Sequence, residues 1–323
     1  MFFDSLLQIL VEDDGLGVSE EEKKAYEKVG KLFHSYRDFI ETKGYRSKQY
    51  VLEAIKFYAE WFRATFDPAA CESVVSRNPS NERMNVVIFG LKNSTLIPYV
   101  LYLKSQLNED EETFGAMLGI LEAYVMRRIV TRDSTKNYNR FFNNLIREKV
   151  CTPEQLHEKF VGQNDVTTAC PNDESLKTSF HEEHRLTSLQ ARGILYMLET
   201  AIMPVESSTT MLGFNTYSLE HLMPKKWRNH WERLDSEEAE KDRDHVLLTL
   251  GNLTIIPQKL NDSISDSSWE TKKKGNKRHE GLTLCAGGLR SMRMPLASEV
   301  WNEELINDRA DILYEYAVSV WQA

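Results

Sequence analysis

The sequence predicts a mainly α chain in which a helical bundle domain, residues 1–203, is followed by a smaller α+β domain, residues 204–323. Three observations carry this. Apolar residues recur at helical spacing through roughly the first 200 positions, the pattern breaks at Pro204, and two short strand-like stretches follow, Tyr217–Pro224 and Leu247–Pro257. A chain of 323 residues, 41% of them apolar, is long enough for one large core or two ordinary ones.

Element by element, Ser19 followed by Glu22 forms a capping box, and Leu32, Phe33, Tyr36, Phe39 and Ile40 keep helical spacing until Gly44. A second helix is expected from Ser47, with Val51, Ile55, Tyr58, Trp61 and Phe62 inward, ending near Asp67-Pro68. Further helices are expected around Val86–Phe89, Leu96–Leu107, Glu112–Val130 and Tyr138–Val150. The polar stretch Gly162–His184, which contains Pro171, is expected to be a long connection, and Leu186–Met203 another helix. His181-Glu182-Glu183-His184 lacks the spacing of a helical zinc motif and reads as a solvated charge cluster. Trp227 and Trp231, four apart, read as a buried helical face rather than a base-stacking platform, and His230, His245 and His279 as surface or packing residues.

Composition excludes several classes. No apolar run approaches the ~20 residues of a membrane span, and the Met1-Phe2-Phe3 opening has neither a basic lead nor a cleavage site, so a soluble cytoplasmic protein without membrane partners is expected. Cys71, Cys151, Cys170 and Cys285 are scattered, which argues against a disulfide framework or a zinc knuckle. The net charge of −9 is unevenly spread: Gly213–Pro295 carries 14 basic and 12 acidic residues, a net of +2. Local positive charge is what phosphate binding needs, because screening confines exposed charges to roughly 8–10 Å. The acidic total therefore does not exclude a nucleic-acid partner.

The second domain holds the candidate chemistry. Glu220-His221 stands at the end of the first strand, which Pro224 halts, and Gly251-Asn252 turns the chain into the second, Leu253–Pro257. Asn261 follows, then a short helix, Ser265–Lys274, with Trp269 as its anchor and Lys272, Lys273 and Lys274 at its end.

Strand, connection, strand and helix, with Glu-His on the first strand and two asparagines nine positions apart across the second, resemble the ββα-metal layout of the His-Me finger (HNH-type) nucleases. More specifically, the segment is similar to the C-terminal nuclease domain of GmrSD-type restriction endonucleases. The residues that carry the likeness are Glu220-His221-Leu222-Met223-Pro224, Gly251-Asn252-Leu253-Thr254, Asn261, Trp269 and Lys272, together with Trp301, Ile306, Arg309 and Trp321 near the end of the chain. It covers about the last 130 residues strongly and the helical region weakly.

The resemblance implies a metal-dependent DNA endonuclease acting against foreign or modified phage DNA. Phosphodiester hydrolysis needs an activated water and stabilised negative charge, which one histidine and one divalent ion can supply. His221 is then the general base, Glu220 and Asn261 are oxygen ligands for Mg²⁺ or Mn²⁺, Asn252 is the structural asparagine, and Lys272 contacts phosphate or stabilises charge near the metal. Lys273, Lys274, Lys277 and Arg278 are expected to grip DNA phosphates, the alternative being a solvated helix end. The Asp-Gly-Gln-Gln-Arg motif of the nucleotide-hydrolysing domain that commonly accompanies this nuclease does not occur, and neither does a Walker-type loop. Two arrangements stay open: a C-terminal part of a longer protein, or a separate subunit working with a nucleotide-hydrolysing sensor. A catalytically inactive DNA- or protein-binding scaffold is the other class of function, and an RNA-directed nuclease ranks last.

Overall fold

The computed structural model describes all residues except 27–30, 162–164, 184–185, 205–210, 259–265, 277–278 and 323. Among the described residues the chain is mainly helical, with two two-stranded antiparallel sheets, and none of its helices is long and apolar enough to cross a membrane. Its contacts divide it into two compact units, one of residues 1–68, 79–120 and 134–169, the other of 69–78, 121–133 and 170–323. The division differs from the expected boundary at Pro204, because 170–203 and two earlier segments group with the C-terminal residues.

The first unit contains α1 (Phe2–Val11), α2 (Glu20–Tyr26), α3 (Leu32–Arg37), α4 (Lys48–Thr65), α5 (Asn81–Asn85), α6 (Ile97–Leu107), the first half of α7 (Glu111–Val130), α8 (Tyr138–Arg147) and α9 (Pro153–Val161). The Ser19 capping box forms as the spacing predicts: Glu22 N donates to Ser19 Oγ at 3.3 Å and Ser19 N donates to Glu22 Oε2 at 3.1 Å. Ser47 caps α4 by accepting from Tyr50 N at 3.1 Å. Leu6, Leu7, Leu10, Phe39 and Val51 close one buried cluster. The helix expected from Ser19 to Gly44 is instead two α segments, α2 and α3, the latter running on as a π turn over Asp38–Thr42.

The second unit contains α10 (Asp173–His181), α11 (Ser188–Ile202), α12 (Glu237–Val246), α13 (Trp269–Lys274), α14 (Leu282–Cys285), α15 (Arg293–Ala297) and α16 (Glu303–Val320). The stretch expected as a connection thus holds a helix, α10. Asn172 caps it by accepting from Ser175 N at 2.8 Å, and Leu176 and Phe180, four apart, bury one face. Strands β1 (Tyr217–His221) and β2 (Leu253–Pro257) pair antiparallel with Glu220 opposite Thr254 and His221 opposite Leu253, and α11 packs on both. A second small sheet pairs β3 (Gly275–Asn276) with β4 (His279–Glu280). The late helix α16 packs against the Leu250–Asn252 turn and α10. Arg127 binds the unit together from its interior: Nε donates to Trp321 O at 2.6 Å, Nη1 to Pro171 O at 2.9 Å and Nη2 to Asp173 Oδ1 at 2.6 Å. Trp227 is buried as expected, but on a 3₁₀ turn over Trp227–Asn229 rather than a helical face. Its Nε1 donates to Asp244 at 2.8 Å while the Arg228 and Arg243 guanidinium groups lie 4.4 and 4.6 Å from its ring centre.

Candidate active site

Strand β1 ends at His221 because the next residues turn to Asn252 instead of continuing the ladder. Leu222 N donates to the Asn252 carbonyl at 2.9 Å and Met223 N to Asn252 Oδ1 at 2.8 Å. The Asn252 carboxamide is fully buried, and its amide donates to Met223 O at 2.8 Å and Leu247 O at 2.9 Å, while Trp301 Nε1 donates to Oδ1 at 3.1 Å. Four hydrogen bonds from one side chain therefore tie together the backbone just past His221, the approach to β2 and the indole that precedes α16. Trp301 in turn stacks on Trp269, ring centres 5.5 Å apart, which fixes the start of α13.

The turn that carries Asn252 is held from behind. Buried Arg309 donates through Nη1 to Gly251 O at 2.6 Å and Leu253 O at 2.8 Å, and through Nε to Ser291 O at 3.0 Å. Gly251 itself touches α16 so closely that a Cβ there would lie 2.1 Å from the Ile306 carbonyl oxygen, so only glycine lets the turn and the helix meet. Arg192 Nη1 holds the other end of β1 by donating to Tyr217 O at 2.9 Å.

His221 sits at this braced strand end, half-buried, and its ring makes no hydrogen bond to another described residue. Burial, helped by the positive charges of Lys225 and Lys272, holds the imidazole down to about 4, so it is neutral at neutral pH and keeps a basic nitrogen. Glu220, its neighbour, is buried and ion-paired with the fully buried Lys272, whose ammonium also donates to the His221 carbonyl at 2.6 Å. Burial pushes the Glu220 carboxyl up and the Lys272 ammonium down, against their mutual attraction.

The structure thus brings Glu220, His221, Asn252 and Lys272 together. The Lys272 ammonium is committed to Glu220 and the His221 carbonyl inside the protein, where it acts as a strut between α13 and β1. Asn261, Lys277 and Arg278 lie outside the described residues. Lys273 donates to Ser298 O at 2.8 Å, and exposed Lys274 pairs with Glu270 at 3.0 Å one turn back, so both ammonium groups already have protein partners. The surface histidines have carboxylate neighbours, His245 beside Glu183 at 2.9 Å and His181 beside Asp311 at 3.0 Å. Reasoning from residue types did not find the role of Trp301 toward Asn252 or the Glu220–Lys272 pair. Only the complementary charges hinted at the latter.

Donor chemistry fits a hard divalent cation in part. Glu220 offers a carboxylate with one oxygen taken by Lys272, and among the described residues no cluster of three or more acidic, histidine or cysteine side chains gathers. An ion that keeps most of its waters needs only one or two such protein oxygens.

No curated protein matches the chain. Residues 170–316, which run from α10 into α16 and include every residue of the braced site, match the family model of GmrSD restriction endonucleases, C-terminal domain.

Proposed function

We propose that the chain is a DNA endonuclease of the His-Me finger (HNH) type, acting in defence against foreign or modified phage DNA, with His221 as general base. The observation that carries this reading is the Asn252 clamp, which fixes the backbone on the far side of a neutral imidazole that has no other described partner. A base must be unprotonated and set on a rigid element before substrate arrives; the lowered pKa of His221 supports the first, and the Asn252 bonds to the backbone just past it support the second. In the reaction one ring nitrogen of His221 takes a proton from water as the water oxygen bonds to phosphorus. The bond to the leaving oxygen then breaks, and that oxygen is protonated from solvent. Asn252 positions His221 without touching substrate. Lys272 holds Glu220 and the His221 carbonyl in register and adds positive charge beneath the phosphate. Mg²⁺ or Mn²⁺ would be held by the Glu220 oxygen that Lys272 leaves open and by Asn261, and when bound would stabilise charge on the phosphate. Lys273, Lys274, Lys277 and Arg278 form the phosphate-gripping edge, with Lys273 and Lys274 exchanging their present partners for DNA.

The Glu220–Lys272 pair favours a second reading, an inactive DNA- or protein-binding scaffold, because an ammonium beside the carboxylate opposes a dication. Plasmid nicking separates the two. Cutting in Mg²⁺ or Mn²⁺ that chelator abolishes supports the nuclease. No cutting of plasmid or of modified phage DNA in either metal, by protein that is folded, favours the scaffold. Glu220→Ala and Asn261→Ala should both raise the metal concentration for half-maximal cutting, whereas Asn252→Ala should lower activity at an unchanged metal requirement.

A further inference from the structure

The first unit contains a concavity of about 370 Å³ whose walls come from α2, α8 and the residues before α8. Its floor is a closed ionic square. Buried Glu12 accepts from Lys23 Nζ at 3.0 Å and Arg147 Nε at 2.9 Å, and Glu20 faces the same two cations at 3.3 and 3.0 Å. Arg147 is used completely, since Nη2 donates to Asn144 at 2.9 Å. Two carboxylates thus neutralise two cations. Three more cations line the same space, Lys24, Lys136 and Arg140, and none has a carboxylate within ion-pair reach among the described residues. Beside them stands Asn139, a neutral group able to donate hydrogen bonds.

The helix beneath adds a separate observation. No side chain caps the first turn of the ten-residue α8, because Asn137 at its cap position donates instead to Thr167 Oγ1 at 2.7 Å. The positive end of α8 therefore opens where Lys136 and Arg140 stand. Three cations line one hollow, and the square below leaves no carboxylate to spare.

We propose that this concavity binds a compact anion carrying two or more phosphate groups, an inorganic polyphosphate or a nucleotide. Its concave shape, lined by the three cations, suits a small ligand, whereas a duplex presents its phosphates along a convex ridge. The inference is independent of the nuclease reading, since no residue of the Glu220–Lys272 region enters it.

The test is calorimetric titration of the full chain, at low salt, with sodium tripolyphosphate and in parallel with adenosine triphosphate. Saturable binding of at least one probe is expected, weakened at least about tenfold in the Lys136→Gln/Arg140→Gln double variant, because its charge-assisted hydrogen bonds to phosphate are gone. A charge-matched Lys92→Gln/Lys241→Gln variant should bind as the parent does. Equal affinity for the two probes assigns the site to the phosphates alone. Tighter binding of the nucleotide, reduced by Asn139→Ala, assigns it to a nucleotide. The proposal is overturned if neither probe binds saturably, if the double variant binds as the parent does, or if only duplex DNA responds to the substitutions.

Discussion

Replacing Asn252 with alanine removes the carboxamide on which the site is hung. Four buried groups lose their partner: Met223 N, Met223 O, Leu247 O and Trp301 Nε1. An unsatisfied buried polar group costs about 1–3 kcal/mol, so the low end for four is about 4 kcal/mol even after some relaxation. For a unit of this size each kcal/mol lowers the melting temperature by roughly 2–4 °C, which gives a drop of about 8–16 °C. Asn252→Asp should be nearly as damaging. It keeps an acceptor for Met223 N and Trp301 Nε1 but turns a second oxygen toward two carbonyls in a buried site. Intrinsic tryptophan fluorescence suits the assay, because five of the six tryptophans (Trp227, Trp231, Trp269, Trp301 and Trp321) belong to the second unit. A melting temperature within about 2 °C of the parent for either variant would refute the claim that Asn252 is the brace of the site.

Three further outcomes follow from the same structure. Lys272→Ala, which strands the buried Glu220 carboxylate, should cost about 3–5 kcal/mol in urea unfolding, and Lys272→Ala/Glu220→Ala should recover a large part of it; equal losses in both would mean the two side chains do not act as a pair. An isolated 204–323 fragment should give poorly dispersed amide NMR spectra, since it lacks α11 from the sheet and Arg127 from Trp321; a well-dispersed spectrum would support a folding boundary at Pro204. Replacing Lys273, Lys274, Lys277 and Arg278 with Gln should flatten the salt dependence of DNA binding by about 0.9 in log–log slope for each phosphate no longer neutralised, and an unchanged slope would show that DNA is held elsewhere.

The parts of this architecture that rest on local rules were legible in the sequence. Ser19 and Ser47 announce helix starts, the β-branched run after Gly251-Asn252 announces β2, and the helix expected over Ser265–Lys274 starts at Trp269 with Ser268 as its cap. The Glu-His pair, the Gly-Asn turn and the lysine-ended helix were each visible in order, which is why four site residues meet where the pattern put them. Helix α10 was hidden by its polar surroundings, although Asn172, Leu176 and Phe180 carry the signal. What local patterns cannot express is a partner far along the chain. Arg127 reaches Trp321 across 194 positions, Trp301 reaches Asn252 across 49, and Lys272 reaches Glu220 across 52. Lys272 stands in a run of three lysines whose spacing does not tell them apart, yet it is fully buried while Lys274 is exposed, because a six-residue helix turns one side to β1 and the other to water.

The central claim, that His221 is the base of a nuclease, is tested most directly by single-turnover cleavage of a metal-activated DNA substrate by the parent and by His221→Ala. The imidazole hydrogen-bonds to no other described residue, so the variant should melt close to the parent and bind DNA with nearly the same affinity. Its cleavage rate should fall by about 10²–10⁴, the usual contribution of a general base. A folded His221→Ala protein that cuts within about threefold of the parent would contradict the assignment and remove His221 from the chemistry.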